Sequence, residues 1–106
     1  MIINVLGTEY LLVESNRVSD PNLERNDGYC DTSIKRIVID TFQKTEGSLD
    51  DLDEYKKQVI RHELIHAFLY ESGLSGNAWA RDEEIVDWIA IQFPKMMKIF
   101  EESKCV

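Results

Sequence analysis

The chain has 106 residues and a mass of 12.3 kDa, which is enough polypeptide for one domain and one hydrophobic core. Hydrophobic residues make up 43% and charged residues 30%, a composition that excludes an intrinsically disordered chain and a collagen-like repeat. The net charge of −8 repels phosphate groups, so we expect neither a nucleic-acid partner nor docking on an anionic membrane. A single domain is expected over residues 1–106.

The sequence also predicts a cellular compartment. No apolar run is long enough to span a membrane, and Met1–Leu6 lacks the basic region of a signal peptide. Cys30 and Cys105 are too few for a disulfide framework. We therefore expect a cytoplasmic protein.

The first third of the chain predicts β-structure. Residues 2–6 and 10–13 are predicted to form a hairpin around a Gly-Thr turn. The polar segment 15–28 is predicted to be a loop. Residues 34–40 are predicted to form the third strand of a small sheet, because the centre of this segment is β-branched throughout.

The second half changes to a helical period. One helix is predicted over 48–72, capped by Ser48 and ended by a left-handed Gly73. A second helix is predicted over 77–92, after which Pro94 ends it, kinks it or opens a third helical stretch. The predicted fold class is α+β, with a three-stranded sheet packed on these helices and a third helical stretch that closes the C-terminus.

Apolar side chains near the C-terminus are predicted to be core. Trp79 and Trp88 are expected to pack the two helices together, although Trp79 could instead line a substrate pocket. A stripe at helical spacing is expected to be buried rather than to bind anything, and it comprises Phe93, Met96, Met97 and Phe100.

The chemistry of the chain is concentrated in one motif, His62-Glu63-Leu64-Ile65-His66, which has the form H-E-x-x-H. A helix turns about 100° per residue, so the two histidines lie on one face and Glu63 lies on its flank. Two imidazoles one turn apart can hold a single zinc ion, and the glutamate can reach a water beside it. Two ordinary core histidines would leave a carboxylate unexplained in the same buried helix.

Zinc requires a third protein ligand, and no further histidine is present. Glu83 and Asp87 are four residues apart on the inward face of the second helix. We assign Glu83 as the third ligand and Asp87 as the carboxylate that orients a ligating histidine. Glu84 and Asp82 are the alternatives for the third ligand. If no metal binds, Glu83 and Glu84 are instead expected to be solvent-exposed residues at the start of a helix.

The motif and the glutamate helix together resemble the gluzincin clan of zinc peptidases. The phrases HELIHAFLYESG and EEIVDWIA are similar to short metallopeptidase-like proteins of phages and prophages, of the ImmA/IrrE type and the so-called minigluzincins. The resemblance covers roughly residues 28–94 and is strongest over 59–91. It implies a minimal zincin-like fold and proteolytic activity.

The resemblance also implies roles for individual residues. His62, His66 and Glu83 would be the metal ligands, Glu63 the general base and Asp87 the helper. The family uses the last strand as an edge that holds substrate, which places 36–40 in that role. Larger gluzincins supply a distant histidine or tyrosine to the oxyanion; for this chain the candidates are Tyr29 and Tyr70.

The sequence therefore predicts zinc-dependent peptide-bond hydrolysis, with Glu63 removing the proton from the attacking water. A peptide or protein is the expected substrate. The first alternative is a metal-holding module that binds a protein partner without cutting it, and the second is a hydrolase of non-peptide amides. Cys30 is expected to be a buried structural cysteine, the alternative being a thiolate that reaches the metal.

Overall fold

The computed structural model of the protein describes residues 1–43 and 51–106. The fold is α+β, as predicted from the sequence, with strands followed by two long helices. The elements are β1 (Ile2–Val5), β2 (Thr8–Ser15), β3 (Gly28–Asp31), β4 (Arg36–Asp40), α1 (Leu52–Glu71) and α2 (Glu83–Glu102).

The sheet has four strands in the order β1-β2-β4-β3, so the prediction of three strands is wrong. Strand β4 pairs in parallel with β2 and antiparallel with β3. The expectation that 36–40 form the edge of the sheet is therefore also wrong, because β3 covers that edge. The additional strand has only four residues, Gly-Tyr-Cys-Asp, which is too short to show an alternating apolar pattern.

Strand β4 begins at Arg36, two residues later than the predicted strand 34–40, and the turn between β3 and β4 explains the difference. Lys35 has φ +56, in the left-handed region, so the chain reverses just before β4. Ile34, which was predicted to lie in the strand, is in this turn and is 59% exposed. Strand β2 is longer than predicted because it extends to Ser15 and pairs there with Asp40.

The core lies between one face of the sheet and α1. Its fully buried members are Val5, Tyr10, Ile37, Ile39 and Ala67, and Val59, Ile60 and Leu64 of α1 pack against them. At the sheet edge, a Cβ on Gly28 would lie 3.0 Å from Val59 Cγ1 and 3.0 Å from Ile39 Cδ1. Glycine at this position lets α1 approach β3 closely, and this contact places the middle of the helix beside the edge strand.

The first helix has the predicted extent at its C-terminal end. It ends at Glu71, and Gly73 has φ +78, the left-handed conformation expected of a helix stop. At the other end Asp51 is the cap, and its side chain accepts a hydrogen bond from the backbone N–H of Glu54. The predicted cap, Ser48, lies outside the described residues.

The second helix is a single element, so the predicted third helical stretch is wrong. A short 3-10 turn, Trp79–Arg81, precedes it, and Pro94 lies inside it. Proline has no N–H to donate to the carbonyl four residues earlier, that of Ala90. Arg61 of α1 donates its Nε–H to that carbonyl at 2.6 Å. The helix continues through Pro94 because a side chain from α1 replaces the missing donor.

The predicted burial of the C-terminal apolar residues is wrong in part. Phe93 is 45% exposed and Phe100 is 37% exposed, whereas Met96 and Met97 are half-buried. The two tryptophans do not fill the helix interface either, because Trp79 is 46% and Trp88 is 56% exposed. Only Val86 and Ala90 of α2 are fully buried, so the two helices meet through small side chains.

No helix in the described parts of the chain is long and apolar enough to cross a membrane.

A partly buried polar contact joins the end of α1 to the sheet. Tyr10 donates its hydroxyl hydrogen bond to Glu71 Oε2 at 2.7 Å, and Lys35 Nζ donates to the same oxygen at 3.0 Å. These two donors, together with the Thr8 side chain, hold the pKa of the Glu71 carboxyl at about 2, below the ordinary value of 4.5. Folding therefore favours the ionised form of the Glu71 carboxyl.

We expect this contact to contribute to the pH dependence of stability. A carboxyl with a lowered pKa stabilises the folded state above the unfolded value of 4.5, and this contribution is lost as the pH falls toward about 2. Glu71→Gln should therefore unfold at a lower urea concentration at pH 7 and show a shallower decline in unfolding free energy between pH 4.5 and 2. Urea titrations at several pH values measure this difference.

The matched control is Glu101→Gln, which alters an exposed carboxylate near the end of α2. It should follow the wild-type profile. An equally steep decline in Glu71→Gln and the wild type would show that Tyr10 and Lys35 do not favour the ionised carboxylate.

Candidate metal centre

The H-E-x-x-H residues lie in the middle of α1 and face a cleft of about 800 Å³. Strand β3 forms one wall of the cleft, with Gly28, Tyr29 and Cys30, and the first turns of α2 form the other. Because α1 packs closely on β3 at Gly28, the histidine face of the helix opens directly beside the edge strand.

Three nitrogen and oxygen donors converge in this cleft. His62 Nε2 lies 2.8 Å from Glu83 Oε2, and His66 Nε2 lies 3.1 Å from Glu83 Oε1. The two Nε2 atoms are 3.2 Å apart. Among the described residues, His62, His66 and Glu83 form the group whose ligand atoms lie close enough together to hold a metal ion.

The spacing of these donors fits zinc. Ligand atoms about 2.0–2.1 Å from a tetrahedral zinc are roughly 3.3–3.4 Å from each other. The observed separations of 2.8, 3.1 and 3.2 Å are close to these values, and slight outward movement of the donors would complete the match. Two neutral imidazole nitrogens and one carboxylate are a ligand set used by catalytic zinc sites.

Asp87 supports one of the histidines from behind. Its Oδ1 lies 3.3 Å from His62 Nδ1, on the opposite side of the ring from the converging Nε2. A carboxylate accepts a hydrogen bond from Nδ1–H, so the lone pair of the neutral imidazole is then on Nε2. The structure thus brings Asp87 to the position predicted for it from the sequence.

Glu63 lies deeper than the other acidic residues of the site. It is only 7% exposed, and its Oε2 is buried without a hydrogen-bond partner among the described residues. Burial raises the pKa of the Glu63 carboxyl and the charge of Glu83 adds to this, whereas the two histidines lower it. An unpartnered buried carboxylate oxygen is costly, and a cation or a water that contacts Oε2 would remove that cost.

The two alternatives to Glu83 as the third metal ligand, Asp82 and Glu84, lie outside the group of converging donors. Asp82 is the N-cap of α2, and its Oδ1 accepts a hydrogen bond from the backbone N–H of Glu84 at 2.9 Å. Glu84 is exposed and is not part of the converging group. The register predicted from the sequence therefore agrees with the geometry, since Glu83 is the glutamate that reaches both histidines.

Cys30 lines the cleft but has the properties of a structural thiol. It is half-buried on β3 and packs against the core. Burial, together with the negative charge of Glu63, raises the pKa of the Cys30 thiol to about 12, so the thiolate that binds metals is disfavoured.

The two tyrosines considered for the oxyanion differ in their contacts. Tyr29 donates its hydroxyl hydrogen bond to Asp20, away from the histidines. Tyr70 lies one helical turn after His66; it lines the cleft as Tyr29 does, but its contact is with Lys35, whose Nζ is 4.6 Å from the centre of its ring. The structure therefore favours Tyr70 over Tyr29 as a residue that can face a bound molecule.

The sequence did not indicate that β3 forms a wall of the cleft. Tyr55, at the start of α1, also lines it, and its hydroxyl donates a hydrogen bond to Asp27, just before β3. A tyrosine one turn inside a helix gives no signal in the sequence that would distinguish it from a surface residue.

Comparison with protein-family models, curated proteins and solved structures found no match to this chain.

We expect one zinc ion to bind per chain. His62→Ala and His66→Ala should each weaken zinc binding by more than the roughly 10–100-fold that the loss of an outer-sphere partner costs. Glu83→Gln should also weaken binding, because a neutral amide is a poorer ligand than a carboxylate. Zinc content after dialysis and calorimetric titration measure the effect, and zinc should raise the melting temperature of the wild type.

Glu84→Gln is the matched control, since it makes the same chemical change at the next residue of the same helix. It should bind zinc as the wild type does. Zinc loss in Glu84→Gln with retention in Glu83→Gln would contradict the assignment of the third ligand.

A separate prediction concerns Asp87. Asp87→Ala leaves all three candidate ligands in place but removes the acceptor for His62 Nδ1–H, so zinc affinity should fall by about 10–100-fold. Asp87→Asn should retain part of the affinity, because its side-chain oxygen still accepts a hydrogen bond. Calorimetric titration would contradict the supporting role if Asp87→Ala bound zinc as tightly as the wild type.

Proposed function

We propose that the protein is a zinc-dependent peptidase of the gluzincin type. One observation carries the proposal: the donors of His62, His66 and Glu83 converge within 3.3 Å, and the buried carboxylate of Glu63 lies next to them. A site that only stored a metal would have no use for an unpartnered carboxylate beside the ligands, whereas a hydrolase needs a base at that position.

His62, His66 and Glu83 would hold the zinc ion, and Asp87 would fix the His62 tautomer. When bound, zinc supplies Lewis acidity, which lowers the pKa of a coordinated water and polarises a carbonyl group. Glu63 takes the proton from the attacking water and then passes it to the nitrogen of the leaving amine. Its burial favours this exchange, because a raised pKa makes the carboxylate a better proton acceptor.

A peptide substrate is proposed to lie along β3 rather than β4. Strand β3 is the edge of the sheet beside the histidines, and Tyr29 and Cys30 line the same cleft. An extended peptide adds to such an edge through main-chain hydrogen bonds, which suit many sequences. The position of β3 as the outer strand, with α1 beside it, supports the minimal zincin-like fold that the resemblance implies.

The environment proposed for this activity is the cytoplasm, as expected from the sequence. The resemblance of the motif and the glutamate helix to small phage and prophage metallopeptidases supports the same reaction class.

A second candidate function is a metal-holding module that grips a protein partner without cutting it. The exposure of the site favours it, because the Glu83 side chain is 66% and the Asp87 side chain 51% exposed. A shallow cleft gives a substrate few walls. The intact Glu63 is the observation that places the peptidase first.

The deciding experiment compares the zinc-loaded wild type with Glu63→Gln on an unstructured protein substrate, with mass spectrometry of the products. The wild type should cleave the substrate. Glu63→Gln should retain zinc and lose about 10²–10⁴-fold in rate, because a general base contributes that much. Glu84→Gln should retain both zinc and activity.

The outcomes separate the two candidate functions. Zinc binding by the wild type without any cleavage would support the binding module. Equal cleavage by the wild type and Glu63→Gln would show that Glu63 is not the base.

A further inference from the structure

Two cavities meet at the open edge of β3. One is the cleft that holds the candidate metal ligands, and the other, which we name the outer cavity, has a volume of about 360 Å³. Four residues line both of them, namely Asn26, Tyr29, Cys30 and Thr32. The two cavities are therefore continuous around the edge strand, and a peptide that lies along β3 contacts both.

The open edge of β3 presents main-chain groups to such a peptide. Asp40 donates its N–H to the Asp27 carbonyl at 2.9 Å, and hydrogen-bonded pairs alternate along an antiparallel ladder. In the register of β3 and β4, Tyr29 is then the next residue that bonds to β4. The N–H and C=O groups of Gly28 and Cys30 point away from the sheet, where an added strand can bond to them.

The side chains of β3 alternate between the two faces of the sheet. Gly28 faces α1, because a Cβ on it would lie 3.0 Å from Val59 Cγ1, and Cys30 packs against the same core. Tyr29 and Asp31 therefore face the other side, and both line the outer cavity. Directly opposite residues of paired strands send their side chains to the same face. In an extended peptide on β3, every second side chain would thus point toward the outer cavity.

The outer cavity offers hydrogen-bond acceptors. Asp31 Oδ1 accepts hydrogen bonds from the side chain and the backbone N–H of Ser33, which lower the pKa of the Asp31 carboxyl. Its Oδ2 has no hydrogen-bond partner among the described residues, and Arg36, opposite it on β4, forms no ion pair with it. Asn26 donates its Nδ2–H to the Asn22 carbonyl at 3.0 Å, so its amide oxygen remains as an acceptor.

We propose that the outer cavity is a subsite for a lysine or arginine side chain of the peptide substrate. Asp31 supplies an anionic oxygen and Asn26 a neutral acceptor. Tyr29, whose hydroxyl donates to Asp20, supplies an aromatic ring that attracts a cation. The net charge of −8 draws basic peptides toward the protein. The inference rests on the proposed function, because it uses the binding of substrate along β3.

Other side chains suit this lining less well. An acidic side chain would be repelled by Asp31, and an apolar one would cover the acceptors without bonding to them. A neutral amide can donate to the same oxygens but adds no attraction between charges. The carboxylates of the metal cleft already have partners, since Asp27 accepts from Tyr55 and Asp87 lies 3.3 Å from His62 Nδ1. A basic side chain is therefore expected in the outer cavity.

Cleavage of a random peptide library by the zinc-loaded wild type, read by mass spectrometry, tests the subsite. Lysine and arginine should be enriched at one fixed position relative to the cleaved bond. Asp31→Asn removes the charge but keeps an oxygen that accepts from Ser33, so this enrichment should disappear. The matched control is Asp53→Asn, the same change at an exposed residue that is in the lining of neither cavity. It should keep the wild-type preference.

Binding to the zinc-loaded Glu63→Gln variant separates the subsite from catalysis. Two decapeptides that differ only in a central lysine or glutamine are titrated by fluorescence anisotropy. The lysine peptide should bind about five- to twentyfold more tightly, and added salt should reduce the difference. Adding Asp31→Asn should abolish it, and circular dichroism should show that this variant is folded.

The outcomes distinguish the subsite from the peptidase. Equal binding of the two peptides, no binding of either, or a lysine preference that survives Asp31→Asn would overturn the subsite, even if the wild type cleaves protein. Enrichment of acidic, apolar or amide residues in the library would also overturn it. A lysine preference in binding that depends on Asp31, without any cleavage by the wild type, would support the subsite and overturn the proposed peptidase.

Discussion

The placement of the Glu63 carboxylate beneath two imidazoles is the constraint on which the site depends. The face of α1 that packs on β3 is buried, and the same burial removes water from the carboxylate. His62 Nε2 is 4.0 Å from Glu63 Oε1, too far for a hydrogen bond. Glu63 Oε2 has no hydrogen-bond partner among the described residues, which gives a chemical reason for a bound water or cation at this point of the fold.

Helix α2 is held in the orientation that this site requires by a contact that involves none of the candidate metal ligands. The Arg61 side chain, next to His62 in sequence, donates to the Ala90 carbonyl that Pro94 leaves without its helical partner. This contact fixes the rotation of α2 relative to α1. The same rotation directs two carboxylates toward the histidines. Glu83 lies seven residues before Ala90, and Asp87 lies three residues before it.

The parts of the structure that could be predicted are those in which spacing within one helix decides the outcome. His62 and His66 share a face because they are four residues apart, and Glu83 and Asp87 do so for the same reason. Strand β3 was missed because four residues carry too little pattern, and its place in the sheet depends on pairing with β4. The unbroken α2 was missed because the donor that rescues Pro94 comes from another helix, which no local pattern can reveal.

The exposure of the C-terminal stripe has a related physical cause. An apolar stripe at helical spacing shows that a face is to be covered, but it does not show whether the same chain covers it. In this fold α1 covers only the face of α2 that carries Val86 and Ala90, since small side chains allow the two helices to approach there. Once Pro94 is tolerated, α2 continues beyond the body of the domain, and Ile99 and Phe100 extend past everything in the described chain that could cover them. A 106-residue chain has little spare polypeptide with which to bury such a face.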